Sequence, residues 1–152
     1  MELETYLKKT ADEVNSLLQD CYGDPKTALS RAANHLLFAG GKRLRPVLFK
    51  MAADAVNPGS SARIMPAGLS LEVTHNFTLI HDDIMDKDEY RRGKKTVHTL
   101  WGEPVAILAG DVLYARAFHL ICQADAPENA KVRAISLLAR TCEDICEGQQ
   151  QD

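Results

Sequence analysis

Five carboxylates followed by four cations fall within one stretch, His81 to His98, which reads HDDIMDKDEYRRGKKTVH. Asp82, Asp83, Asp86, Asp88 and Glu89 come first; Arg91, Arg92, Lys94 and Lys95 follow around Gly93. Carboxylate oxygens hold a hard divalent cation such as magnesium. Arginines beside them take up phosphate oxygens that the cation does not reach, through their fixed fork of N–H donors. The pattern suits Mg2+ bound to a phosphorylated ligand.

The spacing sharpens this reading. Asp82 and Asp86 are one helical turn apart and face the same way, whereas Asp83 points about 100° away and suits an indirect, water-mediated role. His75 lies nearly on the Asp82–Asp86 line. Two side chains cannot close a magnesium shell, so phosphate oxygens and water must complete it. A second basic cluster, Gly40-Gly41-Lys42-Arg43-Leu44-Arg45-Pro46, puts Lys42 and Arg45 three residues apart at a glycine turn that opens a helix. Free backbone N–H groups and the helix dipole favour an anion there.

The elements that carry these residues read as helices. Leu69, Val73, Phe77, Ile80 and Ile84 recur in steps of four and three, which predicts an apolar stripe along a helix from about Ala62 to Asp88. Leu3, Leu7, Val14, Leu17 and Leu18 mark a first helix, ended at Gly23-Asp24-Pro25, with Asp24 expected to cap the next helix. That helix runs to Gly40-Gly41, another from Pro46 to about Val56, and further ones from Gly102-Glu103-Pro104 to near Cys122 and from about Pro127 towards Gly148. No strand-like alternation interrupts them, so the fold class is all-α, a large helical bundle in one domain.

Composition excludes other classes. The net charge of −3, and the lack of aromatic residues between the cations of Arg91–Lys95, argue against a nucleic-acid binder. The stretch from Val105 to Cys122 is apolar but holds Asp111, Arg116 and His119, which predicts a core helix and no membrane span. The opening MELETYLKK has no apolar leader. The four cysteines, Cys21, Cys122, Cys142 and Cys146, are expected as reduced, buried thiols of a cytoplasmic protein. The chain stops at EGQQQD within a helical run, and is expected to be the N-terminal part of a longer domain.

GGKRLRP, LIHDDIMDKDEYRRG, TVH and AGDVLYARAF, in this order, resemble the trans-isoprenyl diphosphate synthases, or polyprenyl synthetases. EGQQQD is similar to the family's GQxxD, and the resemblance covers about Ala28 to Asp152. It implies an all-α bundle around a deep cavity, a homodimer, and condensation of isopentenyl diphosphate with an allylic diphosphate. Carried over by position, Asp82 and Asp86 would ligate magnesium on the allylic diphosphate, with Asp83 assisting. Arg91 would contact that diphosphate, while Lys42, Arg45, His75 and Arg92 would hold isopentenyl diphosphate. In the family, bulky residues just before the first aspartate limit the hydrocarbon pocket. Phe77 stands five residues before Asp82, about 7.5 Å deeper along the axis. With no insertion in DDIMD, the chain looks like an archaeal-type geranylgeranyl diphosphate synthase, with C20 expected over C15.

Two features depart from the family. Lys95 stands where proline is frequent, and the second aspartate-rich motif is absent from the chain. This chain alone is therefore expected to show little turnover. The alternative is a non-catalytic subunit that binds diphosphate and dimerises. A terpene cyclase is opposed by GGKRLRP, since a cyclase has no second diphosphate to hold.

Overall fold

The computed structural model describes residues 2–151. Asp152, the closing residue of the GQxxD-like segment, lies outside them.

α4 (Ser61–Met85) runs through the middle of the bundle. Its stripe is where the periodicity places it: Leu69, Val73, Phe77 and Ile80 are buried and Ile84 is partly so. Each of the buried aliphatic side chains contributes about 1.5–3 kcal/mol by leaving water. α3 (Leu44–Val56) packs on one side of α4 and α6 (Glu103–Gln123) on the other. Small residues permit both approaches. A Cβ on Gly68 would lie 2.7 Å from Phe49 of α3, and one on Gly110 would overlap the His81 imidazole. α1 (Leu3–Tyr22) and α2 (Ala28–Leu37) close the core through Val14, Leu18, Leu36 and Leu37. α7 (Glu128–Gln151) leans on α6 and on the end of α4.

α6 has the length and hydropathy of a membrane-crossing helix. It is nevertheless a core helix. Ala106, Ala109, Gly110, Leu113, Ala117 and Leu120 are buried, and Arg116 donates to Asn34 of α2 at 2.7 Å.

Several boundaries differ from expectation. α2 begins at Ala28, where the Thr27 hydroxyl accepts from the Ser30 N–H at 3.0 Å; Asp24 instead pairs with Lys26 in solvent. Thr27 satisfies one of the orphan donors of the first turn, so the start moves past Pro25. α3 begins at Leu44, two residues before Pro46, whose missing N–H is one that no helix start pairs anyway. α4 ends at Met85, because Lys87 takes a left-handed conformation (φ 58°).

Two short elements were not foreseen. β1 (Tyr90–Arg91) and β2 (Lys94–Lys95) form an antiparallel hairpin, with Tyr90 opposite Lys95 and Arg91 opposite Lys94. Both turn residues, Arg92 and Gly93, have positive φ (53° and 75°), which is the backbone of a two-residue hairpin turn. α5 (Val97–Trp101) follows and inserts Val97 into the core. The cysteines also differ: all four are free thiols, but only Cys142 is buried, while Cys21, Cys122 and Cys146 are exposed.

Candidate functional site

The site gathers at the C-terminal end of α4. Asp82 is half-buried, and Asp86 is exposed at the helix C-cap, its N–H still bonded to the Asp82 carbonyl at 2.9 Å. Their separation by one turn therefore survives the early end of the helix. Asp83 is buried, 1% exposed, and its carboxylate accepts from Arg91 Nε. Arg91 Nη2 also donates to Asp82 at 3.1 Å and to Asp88 at 3.4 Å. The hairpin is what aims Arg91 back at the helix that precedes it.

Burial works against the Arg91 cation, but the Asp83 bond and the surrounding carboxylates outweigh it and hold its pKa above the ordinary arginine value. Burial pushes the Asp83 carboxyl above the ordinary carboxylate value, the neighbouring Asp88 and Asp82 charges add to the rise, and the Arg91 guanidinium offsets only part of it. Asp83 Oδ2 has no hydrogen-bond partner. Asp82 Oδ1 accepts from Gln149 of α7 at 3.3 Å.

The basic cluster meets this end through the hairpin turn. Arg92 Nη1 donates to the Gly40 carbonyl, and a Cβ on Gly41 would come within 3.0 Å of the same nitrogen. Gly41, at φ 142°, thus meets both requirements for glycine: a positive φ and a close approach. Lys42 and Arg45 are exposed on either side of the turn into α3. His75 is half-buried, within electrostatic reach of Arg45. Desolvation lowers its pKa, the charges of Arg45, Arg92 and Arg91 lower it further, and Glu72 opposes them. The structure brings Asp82, Asp83 and Arg91 into direct contact and sets Arg45 and Arg92 close enough to His75 for their charges to act on it; Asp86 and Lys42 are exposed, and no hydrogen bond or ion pair ties either side chain to these groups among the described residues.

Beside the aspartates lies an apolar cavity of about 550 Å³ between α4, α6 and α7. Phe77, Thr78 and His81 of α4 face Ile107 of α6 and Ile145 of α7 across it, and Gln149 stands where it meets Asp82. Phe77 belongs to the core as well, 8% exposed and edge-on to Tyr114 with ring centroids 5.3 Å apart. An anionic rim on an apolar hollow is an arrangement for a ligand with a charged head and a hydrocarbon tail.

Three features escaped the sequence reading. Arg43 is not a third solvent-facing cation: it is 3% exposed and paired with Glu72 at 2.7 Å. Asp88 joins Asp82 and Asp83 on Arg91. Gln149 orients Asp82. A signal existed for the first, because Glu72 is a lone charge in the otherwise uncharged run SLEVTHNF. A lone buried carboxylate must find a cation.

The donor set fits a hard cation. The side-chain oxygens that reach solvent at the rim, those of Asp82, Asp86 and Asp88, are all carboxylates, while the buried Asp83 holds Arg91 beneath them. Among the described residues no group of three or more ligating side chains forms a metal site by itself, so exogenous oxygens would have to complete the shell.

Residues 26–152 match the family model described as polyprenyl synthetase. The geranylgeranyl pyrophosphate synthase of Geoglobus acetivorans is 51% identical over 147 residues, covering 96% of this chain and 46% of that protein. Its solved structure superposes with a TM-score of 0.92. The geranylgeranyl diphosphate synthase of Methanosarcina mazei is 49% identical over 125 residues, 82% of this chain and 38% of the relative. The crystal structure of the Pyrococcus horikoshii geranylgeranyl pyrophosphate synthetase, 38% identical, gives 0.89 over 96% of this chain and 45% of that one. The chain spans about half the length of the relatives it matches. Matched by the family model over most of its length and superposing on a solved relative at a TM-score of 0.92, this chain belongs to the polyprenyl synthetase family.

Proposed function

We propose that this chain forms the diphosphate-binding part of a short-chain trans-prenyltransferase. The reaction joins isopentenyl diphosphate head to tail to an allylic diphosphate, and geranylgeranyl diphosphate is the product. One observation carries the reading: the hairpin whose Arg91 holds Asp82 and Asp83 also sets the next residue, Arg92, on the Gly40 carbonyl of the basic turn, and Gln149 links Asp82 to an apolar cavity of about 550 Å³.

Each residue has a role in this scheme. Asp82 and Asp86 hold Mg2+, and Asp83 fixes Arg91 in reach of the same diphosphate. Magnesium, when bound, neutralises charge on the departing diphosphate. Arg91 adds fixed positive charge where the leaving group accumulates negative charge. Lys42, Arg45, His75 and Arg92 hold isopentenyl diphosphate on the opposite side of the hairpin turn. The apolar wall from Phe77 to Ile145 accommodates the hydrocarbon and keeps water from the carbocation. The protein acts as a homodimer.

The test is transfer of radiolabelled isopentenyl diphosphate to farnesyl diphosphate. Incorporation is expected when this chain is combined with the C-terminal half of a relative such as the Geoglobus enzyme, with little from this chain alone. No incorporation in either case refutes the reading. Phe77→Ala in the active combination is expected to lengthen the product beyond C20, since truncation deepens the cavity; an unchanged product spectrum removes Phe77 from that role.

A further inference from the structure

Arg43 sits between the two exposed cations of the basic turn, yet it faces the interior. Its backbone is left-handed, with φ 50°, a conformation that costs a non-glycine residue free energy unless its surroundings enforce it. The side chain supplies the enforcement. Nη1 donates to Glu72 Oε1 of α4 at 2.7 Å, Nη2 to the Leu37 carbonyl at the end of α2 at 2.7 Å, and Nε to Asn15 Oδ1 of α1 at 2.8 Å. Glu72 and Arg43 are both almost fully buried. One guanidinium thus ties three helices at the N-cap residue that precedes α3.

Stability alone does not explain the arrangement, because well-packed apolar residues often replace a buried ion pair at no loss. What the pair adds is direction. A planar fork with three acceptors admits one orientation. With Arg43 turned inward, Lys42 before it and Arg45 after it are left in solvent, beside Arg92 on Gly40. We propose that Arg43, clamped by Glu72, is a positioning residue that presents Lys42 and Arg45 to a diphosphate. This rests on the reading above, in which those cations hold isopentenyl diphosphate.

The experiment is calorimetric titration of the 152-residue chain with inorganic pyrophosphate, with a thermal melt of every variant. Wild type is expected to bind, and Lys42→Ala/Arg45→Ala to bind much more weakly with an unchanged melt. Failure of either result overturns the diphosphate reading itself, and this inference with it. Arg43→Lys keeps the charge but cannot make three directed bonds. It is expected to weaken pyrophosphate binding about tenfold, the scale of one lost charge-assisted contact. In the Arg43→Lys background, Lys42→Ala is expected to cost little more, because the lysine is no longer presented. A merely structural role would lower the melting temperature and leave the affinity and the additivity of the two changes intact; that result overturns the positioning role alone. If Arg43→Lys does not fold, Arg43→Met/Glu72→Met, which removes both charges at similar volume, is judged by the same criteria. If neither folds, Arg43 is a scaffold residue and the inference is wrong.

Discussion

α4 carries two buried carboxylates, Glu72 and Asp83, and each holds an arginine. They are eleven residues apart, three turns, and so lie on nearly the same face about 16 Å from one another. The pairs differ in what surrounds them. Glu72 and Arg43 are buried, and Arg43 spends its donors on the buried Glu72 carboxylate, the Leu37 carbonyl and the amide oxygen of the exposed Asn15. Asp83 is as buried as Glu72, but Arg91 is about a quarter exposed and shares itself among Asp83, Asp82 and Asp88. The sealed pair fixes a loop. The open pair leaves its cation partly in solvent and shared among three carboxylates. One helix thus supplies a sealed ion pair at its middle and a partly exposed one at its end.

The sharpest way to break this contrast is to remove each carboxylate in turn. Glu72→Ala leaves Arg43 buried and unpaired, and is expected to cost about 3–5 kcal/mol, the usual penalty for half of a buried ion pair. Asp83→Asn should cost less, about 1–3 kcal/mol, because the amide oxygen still accepts and Arg91 keeps Asp82 and Asp88. Urea denaturation midpoints measure both. Equal losses would show that the two pairs are energetically alike and that exposure of Arg91 does not matter.

The next effect is on binding, with little on stability. Asp82→Asn/Asp86→Asn removes two carboxylates that are half-buried and exposed, so the melt should change by less than about 1 kcal/mol equivalent. Uptake of Mg2+ in the presence of pyrophosphate, followed by calorimetry, should fall about tenfold or more, since each lost carboxylate removes a full charge from the site. Unchanged uptake would move the metal away from this rim.

The different legibility of the two pairs follows from the same contrast. Asp82, Asp83, Asp86 and Arg91 lie within ten residues, so helical spacing and one turn relate them. The Arg43–Glu72 pair spans 29 residues, and Lys42, Arg43 and Arg45 are alike in type; only tertiary packing decides which of them turns inward. The long helices were legible because Leu69, Val73, Phe77 and Ile80 repeat over several turns. α5, with five residues, and the hairpin, with two per strand, are too short to show a period. The hairpin rests instead on the positive φ of Arg92 and Gly93, and an arginine gives little sign that it will adopt one. Exposure of Cys21, Cys122 and Cys146 was misread because a cysteine's usual preference for the interior says nothing about which helix face it occupies.

The smallest effect lies between the two pairs, at His75. Partial burial disfavours its charged form, and Arg45, Arg92 and Arg91 add repulsion, while Glu72 alone among its influential neighbours favours protonation. Its titration, followed by the imidazole C–H resonances, should have a midpoint below the usual histidine value of about 6.5. The sign for stability follows: as pH falls through that value the unfolded chain takes up a proton that folded His75 refuses, so this residue's contribution is present above it and lost below. Glu72→Gln, which keeps an acceptor for Arg43 but removes the negative charge, should push the midpoint lower still. Pyrophosphate bound among Lys42, Arg45 and Arg92 should do the opposite, because an added anion offsets the guanidinium charges. A His75 midpoint that pyrophosphate leaves in place while calorimetry reports binding would mean that the anion sits elsewhere, on the Arg91 side of the hairpin, and that the sealed pair presents nothing to it.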